Sequence, residues 1–233
     1  MNCESVGMMQ PAYCRAAAFE LFREQLGEVD TGIGLFHAAF AIALHERPEA
    51  SLAEVETVVE NLSDTVANRV KSRSTTALLA HLHDVLFDVF GLQGNVADYY
   101  NPANSYLPDV LQTRQGLPIT LVLIYKRVAE PLGLNVFGVN SPGHFIAEVE
   151  SDEPVDEPIY IDPFFRGGLL NEAEVLHRIV QATGHEMAPS PHLLARATHR
   201  QWLARMLNNL QAAFAALGQE RDVLAMQELQ ALL

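Results

Sequence analysis

His144 and Asp162 are the two side chains whose types and placement could do chemistry together. His144 opens a short run of β-branched and aromatic residues ending at Val149, and Asp162 closes the next such run, which begins at Pro158. The acidic stretch from Ser151 to Glu157 can form a hairpin tip, so antiparallel pairing would bring imidazole and carboxylate side by side. A carboxylate bonded to one ring nitrogen fixes the tautomer and supports the imidazolium, as a histidine serving a nucleophile requires. The competing reading is a pair that only stabilises the hairpin, with Asp162 shaping a turn before Pro163.

A nucleophile for this pair would be best placed at a helix N-terminus, where unpaired N–H groups and the helix dipole acidify a thiol. Pro118 opens such a helix, strongly apolar through Leu132 and ended by Gly133, but no cysteine stands there. Cys3 and Cys14 are the only cysteines, both near the start. They are too few for a disulfide framework or a cysteine-built zinc site and predict two free thiols. Three hydroxyls could substitute: Thr120 on the first turn of the Pro118 helix, Ser105 beside Asn104, and Ser141 before Pro142. The plainer roles for the three are backbone bonding, a helix cap and a turn.

The elements that must position these groups are mostly helical. Apolar spacing predicts helices over Pro11 to Leu26 and Gly34 to Glu46, then one opened by the Ser51/Glu54 capping box. Further helices are predicted over Thr75 to Phe90 and, briefly, from Ser105 or Leu107 through Leu111. After the Pro118 helix, Asn135 to Val139, His144 to Val149 and Pro158 to Ile161 predict three antiparallel strands. Asn171 caps a helix that ends at Gly184, Pro189 and Pro191 mark a linker, and the residues from Ala197 onward form a helical hairpin turning at Gly218. This is an α+β pattern with a short antiparallel sheet of about three strands packed against helices. It divides into an N-terminal helical region (1–91), a core (92–188) and the hairpin (189–233), predicted to form one compact unit.

Helix, histidine strand and aspartate strand follow the chain order of transglutaminase-type Cys-His-Asp enzymes. The sequence resembles the SirB-type transglutaminase-like family, a bacterial group whose domain also recurs in a eukaryotic F-box protein. The resemblance is carried by Gly94-Asn95 with Asp98-Tyr99-Tyr100, by Asn104-Ser105-Tyr106-Leu107, and by Gly116-Leu117-Pro118-Ile119-Thr120-Leu121. Pro142-Gly143-His144-Phe145, Asp162-Pro163-Phe164 and Gly167-Gly168 complete it, in order, across roughly residues 50 to 215. It implies a papain- or transglutaminase-like core with a tetratricopeptide-like tail within which this sequence stops early. It also puts the superfamily's histidine at His144, its aspartate at Asp162 and its cysteine at Pro118 or Ile119.

Neither Pro118 nor Ile119 can attack a carbonyl, and loss of a triad member leaves about 10³ to 10⁴ over the uncatalysed reaction. The expectation is therefore a pseudoenzyme: a non-catalytic, regulatory module binding a peptide or protein segment, with Asn104, Ser105, Tyr106, Tyr99, Tyr100 and Phe145 as candidate binding residues. The alternatives are a cysteine-independent hydrolase or amidase using His144 and Asp162, and a purely structural scaffold. A formal charge of −14 disfavours nucleic acid as a partner. No stretch approaches the roughly 18 uninterrupted apolar residues of a membrane span, and the first residues do not read as a signal peptide, so the expected location is cytoplasmic. His81 and His83 fall on different helix faces, and His192 and His199 flank the linker, so no metal site is predicted. Gly32-Ile33-Gly34 follows no strand and is no dinucleotide loop, so no cofactor is expected.

Overall fold

The computed structural model describes residues 10–151, 158–185 and 190–233. Cys3, the acidic hairpin tip and Pro189 lie outside the described residues. Helices α1 (Ala16–Gln25), α2 (Gly32–Ala43), α3 (Leu52–Arg69) and α4 (Thr75–His83) come first. The predicted start of the first helix at Pro11 is corrected to Ala16. The backbone N–H groups of Ala12, Tyr13 and Cys14 all donate to the Glu228 carboxylate near the far end of the chain, so this stretch takes a turn instead. Thr31, Ser51 and Ser74 cap the next three helices through their hydroxyls. The helix predicted through Phe90 changes character midway: Asp84–Val89 is a π-helical turn continuing α4.

A two-residue strand β1 (Gln93–Gly94) pairs in parallel with β2 (Gln115–Gly116), which sequence pattern did not show. Between them lies α5 (Leu107–Thr113), and after them comes α6 (Pro118–Ala129). Every α6 residue except Arg127 is buried, as its strongly apolar sequence requires, and the Lys126 ammonium is satisfied by the Val136 carbonyl at 2.7 Å and Glu130 at 2.7 Å.

The sheet has four antiparallel strands rather than three, in the order β3 (Val136–Val139), β4 (Ile146–Val149), β5 (Ile159–Asp162), β6 (Gly168–Leu170). The fourth is three residues long, begins with glycine and carries an exposed Leu169, so it lacks the alternating apolar signal. Alternation divides the sheet faces. Phe145, Ala147 and Ile161 belong to the main core with α6, whereas Ile146 and Tyr160 pack on Val175 and Ile179 of α7 (Glu172–Thr183).

The chain ends in the predicted hairpin, α8 (His199–Ala216) and α9 (Glu220–Gln230). Trp202 of α8 locks three elements together: its indole N–H donates to the Ile119 carbonyl at 3.3 Å, and its ring packs 4.7 Å from that of Phe145. Gly138 on β3 makes room for it, because a Cβ there would fall 2.4 Å from the indole. One hydrophobic core runs from Cys14 to Leu229.

Candidate functional site

His144 lies just before β4, after the turn Ser141-Pro142-Gly143, rather than opening the strand. Gly143 has φ +72°, and a Cβ there would meet Ala182 at 2.9 Å, so the turn needs glycine on both counts. Asp162 ends β5. The β4–β5 register pairs Ala147 with Ile161, which brings the residues just before β4 beside Asp162. His144 Nε2 stands 2.9 Å from Asp162 Oδ2, and Asp162 Oδ1 accepts the Phe164 N–H at 3.2 Å. Both carboxylate oxygens are thus held. Arg178 of α7 adds its guanidinium 3.9 Å from Oδ2. Asp162 is wholly buried and His144 nearly so.

With Nε2 committed to the carboxylate, Nδ1 is the nitrogen left to act. Among the described residues it has no hydrogen-bond partner, and no hydroxyl stands within hydrogen-bond reach of the ring. Thr120 is fully buried and its hydroxyl bonds to nothing in the described residues. Ser105 is also buried and lines a small cavity of about 80 Å³ with Tyr99, Leu117 and Ala213. Pro118 and Ile119, where the resemblance puts the cysteine, are buried carbon surfaces at the start of α6. Cys14 packs in the core near α1, its N–H bound to Glu228 near the end of α9, and burial, reinforced by Glu228, pushes its thiol up to about 12. It is protonated at neutral pH and inert as a nucleophile.

The candidate binding residues separate. Tyr106 has no exposed surface and hydrogen-bonds Glu46 at 3.1 Å, and Phe145 is buried against Trp202, so neither is open to a ligand. Asn104 braces its own loop, donating to the Asp98 and Tyr99 carbonyls and accepting from Asn95. Tyr99 and Tyr100 do reach the surface, 37% and 74% exposed. Their rings pack edge to face, Tyr99 continues to Phe164 at 5.9 Å, and Phe164 to His144 at 6.0 Å. Phe165, half exposed, adjoins both His144 and Phe164, with the Arg178 guanidinium 4.1 Å above its ring. Phe165 of this aromatic wall and Arg178 above it were not singled out in the sequence. Phe164 was visible only as part of a motif.

No helix among the described residues is long and apolar enough to cross a membrane. Among the same residues no group of three or more His, Cys, Asp or Glu side chains is arranged to hold a metal ion.

A family model described as the transglutaminase-like superfamily matches residues 51–208. A UPF0162 protein of Xylella fastidiosa (strain 9a5c) is 35% identical over 192 residues, which are 80% of this chain and 66% of that protein. A UPF0162 protein of Pseudomonas aeruginosa is 28% identical over 193 residues, again covering 66% of the relative. The chain thus spans just under two thirds of these bacterial relatives. F-box only protein 21 of Mus musculus is 36% identical over 139 residues, 57% of this chain but 21% of that longer protein. No solved structure matches. The matched segment takes in α3 through most of α8, with the histidine, its aspartate and the helix before them, and on that match the chain belongs to the transglutaminase-like superfamily.

Proposed function

We propose that the chain is a transglutaminase-like module that has lost its thiol and binds a peptide or protein segment over the aromatic wall beside His144. The observation that carries this reading is an oriented His144–Asp162 pair, 2.9 Å apart, with buried Pro118 and Ile119 where the resemblance puts the nucleophile. Exposed Tyr99, Tyr100 and Phe165 next to that pair supply rigid apolar contact area of the kind that anchors peptides. A similar segment makes up about one fifth of F-box only protein 21, which fits a module that can be built into a longer chain. The SirB-type assignment inside the superfamily, a cytoplasmic location and a regulatory role belong to the same proposal.

A second reading has its own support. The free Nδ1 of His144 could take a proton from water, giving a hydrolase or amidase that needs no cysteine. A fluorophosphonate probe followed by peptide mapping, together with an ester and amide library, separates the two. The binding module gives no adduct at Thr120 or Ser105 and no turnover above that of His144→Ala. An adduct or turnover abolished by both His144→Ala and Asp162→Asn would establish the hydrolase instead. Selection from a random peptide display library tests the binding itself: captured peptides should lose at least about tenfold in affinity on Tyr100→Ser, the scale of a truncated aromatic anchor. A library that yields no binder removes the peptide reading.

A further inference from the structure

Arg205 reaches from α8 to the turn that carries His144. Its Nη1 donates to the Ser141 carbonyl at 2.7 Å and to Asn140 Oδ1, and its Nη2 to the His144 carbonyl at 3.3 Å. All three acceptors are neutral. Of the half-buried arginines, Arg47, Arg127 and Arg178 each face an aspartate or glutamate, whereas Arg205 has no carboxylate partner among the described residues; the other arginines that lack one are exposed to water. That is unexpected in a chain with 29 acidic and 15 basic residues. A guanidinium taken partly out of water is normally compensated by a carboxylate or phosphate. Burial draws its pKa down, opposed by the nearby Tyr99 phenol, so the missing counter-charge is felt at this position.

Beside Arg205 opens a cleft of about 440 Å³ lined by Asn140, Ser141, Gly143, Gln201 and Asn208. No acidic side chain contributes to its wall. Asn140 turns its Oδ1 toward the guanidinium, which leaves its Nδ2 as a donor. Nε and one Nη2 hydrogen of Arg205 have no partner among the described residues. Free N–H groups on a guanidinium are donors matched to the oxygens of a carboxylate. Amide donors around an uncompensated cation suit an anion with in-plane oxygens and reject a cation.

We propose that Arg205, with the amides of this cleft, binds a carboxylate of the segment that docks on the aromatic wall. The inference rests on the peptide-binding reading and names what that peptide must carry. A C-terminal carboxylate and an aspartate or glutamate side chain offer the same group. The competing role for Arg205 is a strut tying the 140–144 turn to α8, which requires no anion.

The test uses the full chain and peptides taken from the display selection, each prepared with a free C-terminus, as the C-terminal amide, and with Asp and Glu replaced by Asn and Gln. One of the two neutralisations should weaken binding about tenfold or more by fluorescence anisotropy, and which one does so identifies the carboxylate. Arg205→Gln should erase that difference, and Arg205→Lys should retain part of it. Neutralised peptides binding within about twofold of their parents would overturn the proposal. So would an Arg205→Gln variant that weakens charged and neutral peptides alike, the signature of a strut. The comparison of peptides on the wild-type chain does not depend on how well a variant folds. If no peptide binds at all, the peptide reading falls, and acetate against acetamide decides the inference alone. A saturable shift of the Arg205 Nε–H resonance with acetate only supports it, and no shift, or equal shifts with both, ends it.

Discussion

The hydroxyl of Thr120 is a polar group at odds with its surroundings. It is fully buried without a partner among the described residues, on the first turn of α6. Burying a hydroxyl unbonded costs about 1–3 kcal/mol. Thr120→Val keeps the branched shape and removes that cost, so it should stabilise the fold by about 1 kcal/mol, read as a higher urea midpoint at unchanged slope. A destabilised variant would mean that the hydroxyl has work to do, and would reopen its candidacy as a nucleophile. Residue by residue, His144 and Asp162 were legible because their chemistry depends on one local hairpin. Arg205 was not, because its bonds to Ser141 and His144 span more than 60 positions and no periodicity announces them. Tyr106 and Phe145 show the opposite failure: a motif places a residue near a site without saying which way its side chain points.

Among the elements, α4 and its π-helical continuation carry the clearest pH-dependent term. The π turn directs Phe87 to stack with Tyr125 at 6.3 Å and to pack where a Cβ on Gly167 would fall. An apolar period of 3.6 gave no hint of this extra residue in the turn. His83, the last residue of α4, sits 3.0 Å from the Tyr125 hydroxyl. Burial lowers the His83 pKa to about 4, against a smaller upward pull from Asp88. The buried Tyr125 phenol stays protonated and shares this hydrogen bond with a neutral His83 ring. In the unfolded chain His83 titrates near about 6.5, so below that pH the unfolded state binds the extra proton and the fold is penalised. Its contribution is therefore complete above about pH 6.5 and is lost as pH falls toward about 4, by up to roughly 3 kcal/mol at about 1.4 kcal/mol per pH unit. Urea midpoints should fall across that window, and His83→Gln, which cannot take the proton, should flatten the fall. An unchanged slope in the variant would assign the acid sensitivity to other groups.

At the scale of the whole molecule, the three segments read from sequence share one interior. Phe22 of α1, Ile42 of α2, Tyr125 of α6, Trp202 of α8 and Met226 of α9 belong to a single buried cluster, and Glu228 clips the N-terminal turn to α9. Loops and prolines suggested the boundaries, but breaks in the chain say nothing about which apolar faces meet. Trp202 ties the hairpin that follows residue 189 to the core, filling the space over Gly138 and donating to the Ile119 carbonyl. Removing the hairpin would expose α6 and the β3–β4 face, a loss set against a net domain stability of only about 5–15 kcal/mol. A chain ending after Arg196 should therefore lack a cooperative transition. In the full chain, fluorescence of Trp202, the only tryptophan, reports on the hairpin, while far-UV circular dichroism averages over every helix. The two urea curves should superimpose if unfolding is all-or-none. A Trp202 transition that precedes loss of helix, or a truncated chain that still melts cooperatively, would show a hairpin added to a core already stable without it. It would then leave Arg205 on an element free to dock and undock, and the carboxylate site would form only when the hairpin is in place.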